Sequence, residues 1–242
     1  MKTIILASIL AVALQAAEPA PRTAVLAELF TSEGCSSCPS ADVLLMKLDK
    51  LQPVAGAQII VLSEHVDYWN SLGWSDPFSS AQFTQRQAMY ARLLTDDSYT
   101  PQLVIDGRKA LVGSNEKDIL PAIQKAATRA KTSVRIAAAK RDDGNAVVSL
   151  AIGPSTGKVD VWVAVADDHD QSNVRRGENT GKTLNHVAVV RTLAKVASIP
   201  KASSLEKEVR VPLGAQSGAM RVVVFVSEPG GPIQGSALRE LQ

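Results

Sequence analysis

The sequence predicts an α/β domain over residues 22–131 followed by an all-β, sandwich-like domain over residues 132–242, behind an N-terminal export signal. Three observations lead there. A short apolar strand runs into a Cys-x-x-Cys turn that opens a helix. Apolar runs then alternate with helix-period segments as far as residue 131. Beyond it, short alternating runs recur between Gly, Asp, Asn, Pro and Ser turns, the rhythm of an antiparallel sandwich. A chain of 242 residues has room for two domains of about 100–130 residues each. Its 45 % apolar and 21 % charged content suits a soluble protein with real cores. The net charge of +2 gives no electrostatic case for nucleic acid or an anionic membrane as partner.

Residues 1–20 read as a signal peptide: Lys2 is the positive start, 3–14 is largely apolar, and small Ala16 and Ala17 follow. The apolar run falls short of the about 20 residues a membrane span needs. A periplasmic or secreted protein, with no membrane association after cleavage, is therefore expected. Residues 24–30 form a buried strand interrupted by Glu28, and 31–34 form a turn. From Cys38 the positions Val43, Leu44, Met46 and Leu48 suggest a helix to about Leu51, with Pro39 tolerated in its first turn. Residues 58–62 are a continuously apolar strand of the kind covered on both faces. The stretch 65–78 gathers Tyr68, Trp69, Trp74 and Phe78 in a chain with only 4 % aromatics. Ser79 or Ser80 caps a helix reaching Leu94. Residues 102–105 and 110–112 form a hairpin turned at Asp106-Gly107, and 119–131 is a helix. Strands are then expected over 134–138, 146–152, 159–166, 187–193, 209–212 and 221–226.

Cys35-Ser-Ser-Cys38 holds the only two cysteines. An exported protein is free to use disulfides as staples. A loop this small stabilises by only about 2 kcal/mol, against about 3 kcal/mol for a fifteen-residue loop. The spacing suits a reactive dithiol better. A thiol at a helix N-terminus meets unpaired N–H groups and the positive end of the dipole, which favours thiolate. Cys35 is the expected attacking sulfur, and Cys38, one turn in, the resolving one.

Strand, Cys-x-x-Cys, helix, X-Pro, hairpin and closing helix, in that order over residues 22–131, resemble the thioredoxin fold. The resemblance makes the first domain thioredoxin-like. It implies that Thr100-Pro101 is a cis-proline loop, with Pro101 packed beside the dithiol and the Thr100 backbone pairing with an extended substrate. The runs 30–39 (FTSEGCSSCP), 65–69 (HVDYW), 99–102 (YTPQ) and 176–179 (RGEN) are similar to a secreted bacterial family, the domain of unknown function 1223. That resemblance spans nearly all the mature chain; it implies a thioredoxin-like domain with a β-rich extension and brings no established activity. Two departures from the thioredoxin pattern stand out. Gly34 replaces the aromatic that usually precedes the first cysteine. The buried acid that assists the resolving thiol has no clean equivalent: Glu28 is one position out of register, and Asp42 lies one turn past Cys38. Either acid serves a proton relay or a purely structural role.

His65 opens the loop after the second strand, where sites gather in open α/β sheets. It either frames the dithiol with Asp67, Tyr68 and Trp69, or caps a small core under the loop. The run 167–170 (DDHD) has metal-ligand atoms but also the character of a charged turn. Arg175, Arg176, Lys182, Asn185 and His186 mark a polar loop suited to binding an anion or to folding over the first domain.

The expected function is an extracytoplasmic thiol–disulfide oxidoreductase, with Cys35, Cys38, Thr100, Pro101, Glu28 and His65 as candidate site residues and protein thiols or disulfides as partners. The redox partner is undefined, and no dissociable cofactor or metal is required. Two alternatives remain. Cys35, Cys38 and His65 together would suit Cu(I) in a thioredoxin-like copper carrier. A non-catalytic secreted binding protein would carry the pair as a passive disulfide. Structural zinc is disfavoured, since two Cys and three scattered His make no standard four-ligand set.

Overall fold

β1 (Thr23–Thr31) shows how the period-2 geometry of a strand sorts its side chains. Ala27 and Leu29 point into a core shared with the first and third helices, while Leu26, Glu28 and Phe30 point to the opposite face. The computed structural model describes residues 22–94, 97–214 and 218–242; the leader expected at 1–20 lies outside them. After β1 come α1 (Cys38–Leu51), β2 (Ala57–His65), α2 (Ala81–Leu94), the hairpin β3 (Gln102–Ile105) and β4 (Lys109–Val112), and α3 (Glu116–Ala127). Strands β5 (Val134–Asp142), β6 (Asn145–Ile152), β7 (Val159–Asn173), β8 (Thr183–Ile199), β9 (Leu205–Pro212), β10 (Met220–Ser227) and β11 (Ile233–Glu240) follow. Among the described residues no helix is long and apolar enough to cross a membrane.

The expected fold class, an α/β thioredoxin-like domain followed by a separate all-β domain, does not hold. The molecule is mostly β. A single mixed eight-stranded sheet runs β11-β10-β7-β8-β2-β1-β3-β4, with a three-stranded sheet β5-β6-β9 beside it. β2 pairs with β1 in parallel along its whole length, and on its other side it meets β8, also in parallel, at Ser63 and Val189. The reason lies in β2 itself: a strand buried at nearly every position cannot be left with an unpaired row of N–H and C=O groups. The strand that covers it comes from the second half of the chain. The apolar run at 159–166 is the first half of a strand of 15 residues whose second half is polar, and the run at 187–193 is the middle of a strand of 17.

The large sheet curls until its ends meet. At the β3–β4 turn Asp106 donates its N–H to Leu26 O (2.8 Å) and accepts from Ile233 N (2.9 Å) at the start of β11. Asp106 and Gly107 both have positive φ, as a two-residue hairpin turn requires. A Cβ on Gly107 would also stand 3.1 Å from Tyr90 Cε1 and 3.2 Å from Pro232 Cα. Inside the curl, Phe83 of α2 packs with Leu26, Ile60, Leu62, Val223 and Phe225. On the outer face, α1 and α3 cover β1, β2 and β3, and the three-stranded sheet covers β7 and β10.

Candidate functional site

Cys35 and Cys38 are joined in a disulfide, Cys35 just before and Cys38 at the first position of α1. Both are buried, at 1 % and 0 % exposure. Cys35 Sγ lies 3.4 Å from Ser37 Oγ. Ser37, the N-cap residue, makes no side-chain cap, and Pro39 fits the first helical turn because a missing N–H costs nothing there.

Under this turn lies a buried polar cluster drawn from five parts of the chain: Glu33, Asp42, His65, Asp76 and His186. His65, the last residue of β2, hydrogen-bonds Asp76 Oδ2 through Nδ1 at 2.7 Å. Burial opposes the charged ring, but the Asp76 carboxylate, with Asp42 and Glu33 nearby, holds the His65 pKa above the ordinary histidine value. Burial works against charged Asp76 too, yet His65 and the backbone N–H groups of Glu33 and Phe78 hold its carboxyl below the usual range. The His65 and His186 rings meet edge to face at 4.7 Å, with Phe78 against both. His186 Nε2 is 3.1 Å from Glu33 Oε1, and its Nδ1 faces Asp42 Oδ2 at 3.7 Å, too long for a hydrogen bond. Glu33 also accepts from Trp74 Nε1 (2.8 Å) and from Ser172 Oγ. Asp42 accepts from Thr31 Oγ1 (2.9 Å). Its burial pushes its carboxyl above the ordinary value, against the pull of His186 and His65. It lies on α1 one turn beyond Cys38, the helical spacing that puts two residues on one face.

A turn at 174–182, between β7 and β8, lies across the cysteine turn. Glu178 Oε2 accepts from Ser36 N (2.9 Å), and Asn179 Nδ2 donates to Glu33 O (2.8 Å) and Cys35 O (2.9 Å). Hydrogen bonding from Ser36 lowers the Glu178 pKa. Gly34 packs closely on the other flank, where a Cβ would stand 3.0 Å from Trp69 Cβ. Trp69 in turn donates from Nε1 to Thr100 Oγ1 (2.9 Å). The Thr100–Pro101 bond is cis. Pro101 O accepts from Gly113 N (2.9 Å), and the Cβ that Gly113 lacks would stand 3.2 Å from both Pro101 Cβ and Ala41 Cβ. The proline therefore sits against the first turns of α1.

Cys35, Cys38, Thr100, Pro101 and His65 are thus gathered at one end of β1 and β2. Glu28 is not with them. Strand alternation turns it to the α2 face, where it accepts from Arg86 Nε (2.6 Å) and Tyr90 OH (2.7 Å), with Glu64 beside it. Burial, reinforced by Glu28, pushes the Glu64 carboxyl well above its ordinary value. The 167–170 run is a stretch of β7 rather than a turn. Asp167 and Asp170 hold Arg191 at 2.6 and 3.0 Å, and Asp168 holds Arg221. Arg191 lies 4.7 Å over Phe78. Among the described residues no three His, Cys, Asp or Glu side chains are arranged to hold a metal ion. Residue type and spacing do not mark Glu33, Asp76 or Asn179 as site residues, and they mark His186 only as part of a polar loop. The 33–39 and 176–179 stretches were the one available signal, and they prove to be in contact.

The family model described as a protein of unknown function (DUF1223) matches residues 26–227. A crystal structure of a protein from Agrobacterium tumefaciens is similar to this chain at 28 % sequence identity, with 90 % of this chain and 94 % of that one covered and a TM-score of 0.66. No curated protein matches.

Proposed function

This chain belongs to the DUF1223 family, and from that membership, which carries no assigned activity, we propose that it is an extracytoplasmic thiol–disulfide exchange protein whose working pair is Cys35 and Cys38. The observation that carries this reading is the disulfide at the mouth of α1, with Pro101 packed against the first turns of that helix. An incoming substrate thiolate attacks Cys35 Sγ, breaking the Cys35–Cys38 bond and releasing Cys38 as thiolate. A second substrate thiolate then attacks the substrate sulfur of the mixed disulfide and displaces Cys35. The substrate leaves oxidised, and Cys35 and Cys38 hold its two electrons and take up the two protons that the substrate thiols released on forming thiolates. The reverse sequence oxidises the protein and reduces the substrate. Access needs the 174–182 turn to lift, since both sulfurs are buried. Within that turn Lys182 donates to Asn179 Oδ1 (2.8 Å).

That same burial favours a second reading, a secreted binding protein with a passive disulfide. The copper-carrier reading gains nothing from the geometry, because the sulfurs are joined to each other and the described residues hold no group of three His, Cys, Asp or Glu side chains arranged for a metal ion. Equilibrating the protein with graded thiol buffers and alkylating what is reduced separates the first two. A potential above about −300 mV supports exchange, and one below it supports the passive bond. A Cys35→Ser variant should also lose all turnover with a disulfide substrate. Turnover equal to wild type would defeat the proposal.

A further inference from the structure

At the opposite end of β1 from the cysteines, the β3–β4 turn and the end of α3 frame two adjoining recesses of about 270 and 300 Å³. Both are lined by Arg108 and Arg129. Lys131 lines the first, and Lys109 and Lys125 line the second. Outside the recesses, Lys47, Lys195, Arg210 and Arg221 are examples of cations with a carboxylate within 3.0 Å. Here only Lys131 has one, Asp106. The one acid lining either recess, Glu228, accepts from Gln234 Nε2 (2.8 Å). Five cations therefore face two carboxylates, leaving an excess of three positive charges.

The dipole of α3 accounts for part of this. Its C-terminal end favours cations, so Lys125 and Arg129 are at home in and just past its last turn. It does not account for Arg108 and Lys109, which the hairpin carries in from a different element. Like charges brought together in a concave surface raise each other's energy and focus the field outward. Such an arrangement is favourable when an anion occupies it.

We propose that these recesses bind a phosphate-bearing multivalent anion, with Arg108 and Arg129 as the central contacts and Lys109 and Lys125 flanking them. The planar guanidinium fork matches two phosphate oxygens at once, and lysine adds a point charge. A singly charged anion would cancel only one of three excess charges, so the fit is to a ligand bearing several. A free oligophosphate and a cluster of anionic lipid headgroups share that chemistry.

The test uses the full mature chain. Titration calorimetry with inorganic pyrophosphate, and flotation with vesicles of phosphatidylglycerol in phosphatidylcholine against phosphatidylcholine alone, probe the two sources. Arg108→Gln/Arg129→Gln should weaken binding at least about tenfold without lowering the melting temperature, since both side chains are exposed. Arg210→Gln, a cation outside the recesses, should bind as wild type. Pyrophosphate binding lost in the double variant supports a free-phosphate ligand. Vesicle flotation lost in the double variant, with no pyrophosphate bound, supports a lipid headgroup. Failure of both probes, or equal binding by the double variant, overturns the proposal.

Discussion

Replacing Asn179 by Ala should make the Cys35–Cys38 disulfide far easier to reduce under native conditions. The Asn179 side chain is fully buried and donates to two carbonyls, Glu33 O and Cys35 O. A hydrogen bond of this kind contributes about 1 kcal/mol net, so losing both shifts the opening of the 174–182 turn by about 2 kcal/mol. At tenfold per about 1.4 kcal/mol, that raises the open fraction about 30-fold. Where opening is fast relative to attack, the reduction rate follows the open fraction. The assay is a time course with excess dithiothreitol, quenched by alkylation and read by intact mass. A comparison with a variant destabilised elsewhere separates lifting of the turn from global unfolding. A rate for Asn179→Ala within about twofold of wild type would refute the idea that this turn controls access.

Asp76→Asn should cost about 3–5 kcal/mol, because it strips a buried partner from His65. It should also change the pH profile. The stability that charged His65 supplies is complete below about pH 6.5 and is lost as pH rises through its raised folded pKa, whereas Asp76's share is present above its ordinary value of 3.8 and is lost only in acid. Wild type should therefore lose melting temperature on the alkaline side of about pH 6.5, and Asp76→Asn should flatten that slope. Arg86→Met leaves Glu28 buried beside Glu64 without its cation and should cost about 3–5 kcal/mol in urea denaturation, part of it recovered in Glu28→Gln/Arg86→Met. Gly113→Ala places a Cβ 2.7 Å from Leu29 Cδ1 and 3.2 Å from Ala41 and Pro101, so a loss of about 1–3 kcal/mol in the same assay is expected.

Local signals in the sequence were legible. Apolar spacing found α1 with its bounds, and Asp106-Gly107 found the hairpin, because each depends on residues a few positions apart. Pairings between distant segments were not legible. Nothing in 58–62 says that its second neighbour is β8, and β11, with Gly235 and Ser236 at its centre, lacks the alternation that marks a strand. The same limit hid the cluster under the cysteines: His186 reaches Glu33 across 153 positions and Asn179 reaches it across 146. Glu28 is a different case. Strand alternation alone sets it opposite Ala27 and Leu29, and these two face the helix that begins at Cys38. Its remoteness from the disulfide could have been inferred from its parity on the strand.

The union of β2 with β8 governs how this chain can be divided. A fragment ending near residue 131 would keep both cysteines, α1 and the cis proline, yet it would leave β2 open to recruit a strand from another molecule. Expressed alone, it should self-associate. Supplied with residues 132–242, it should recombine, which would make this protein a natural subject for two-piece complementation and its disulfide a reporter of reassembly.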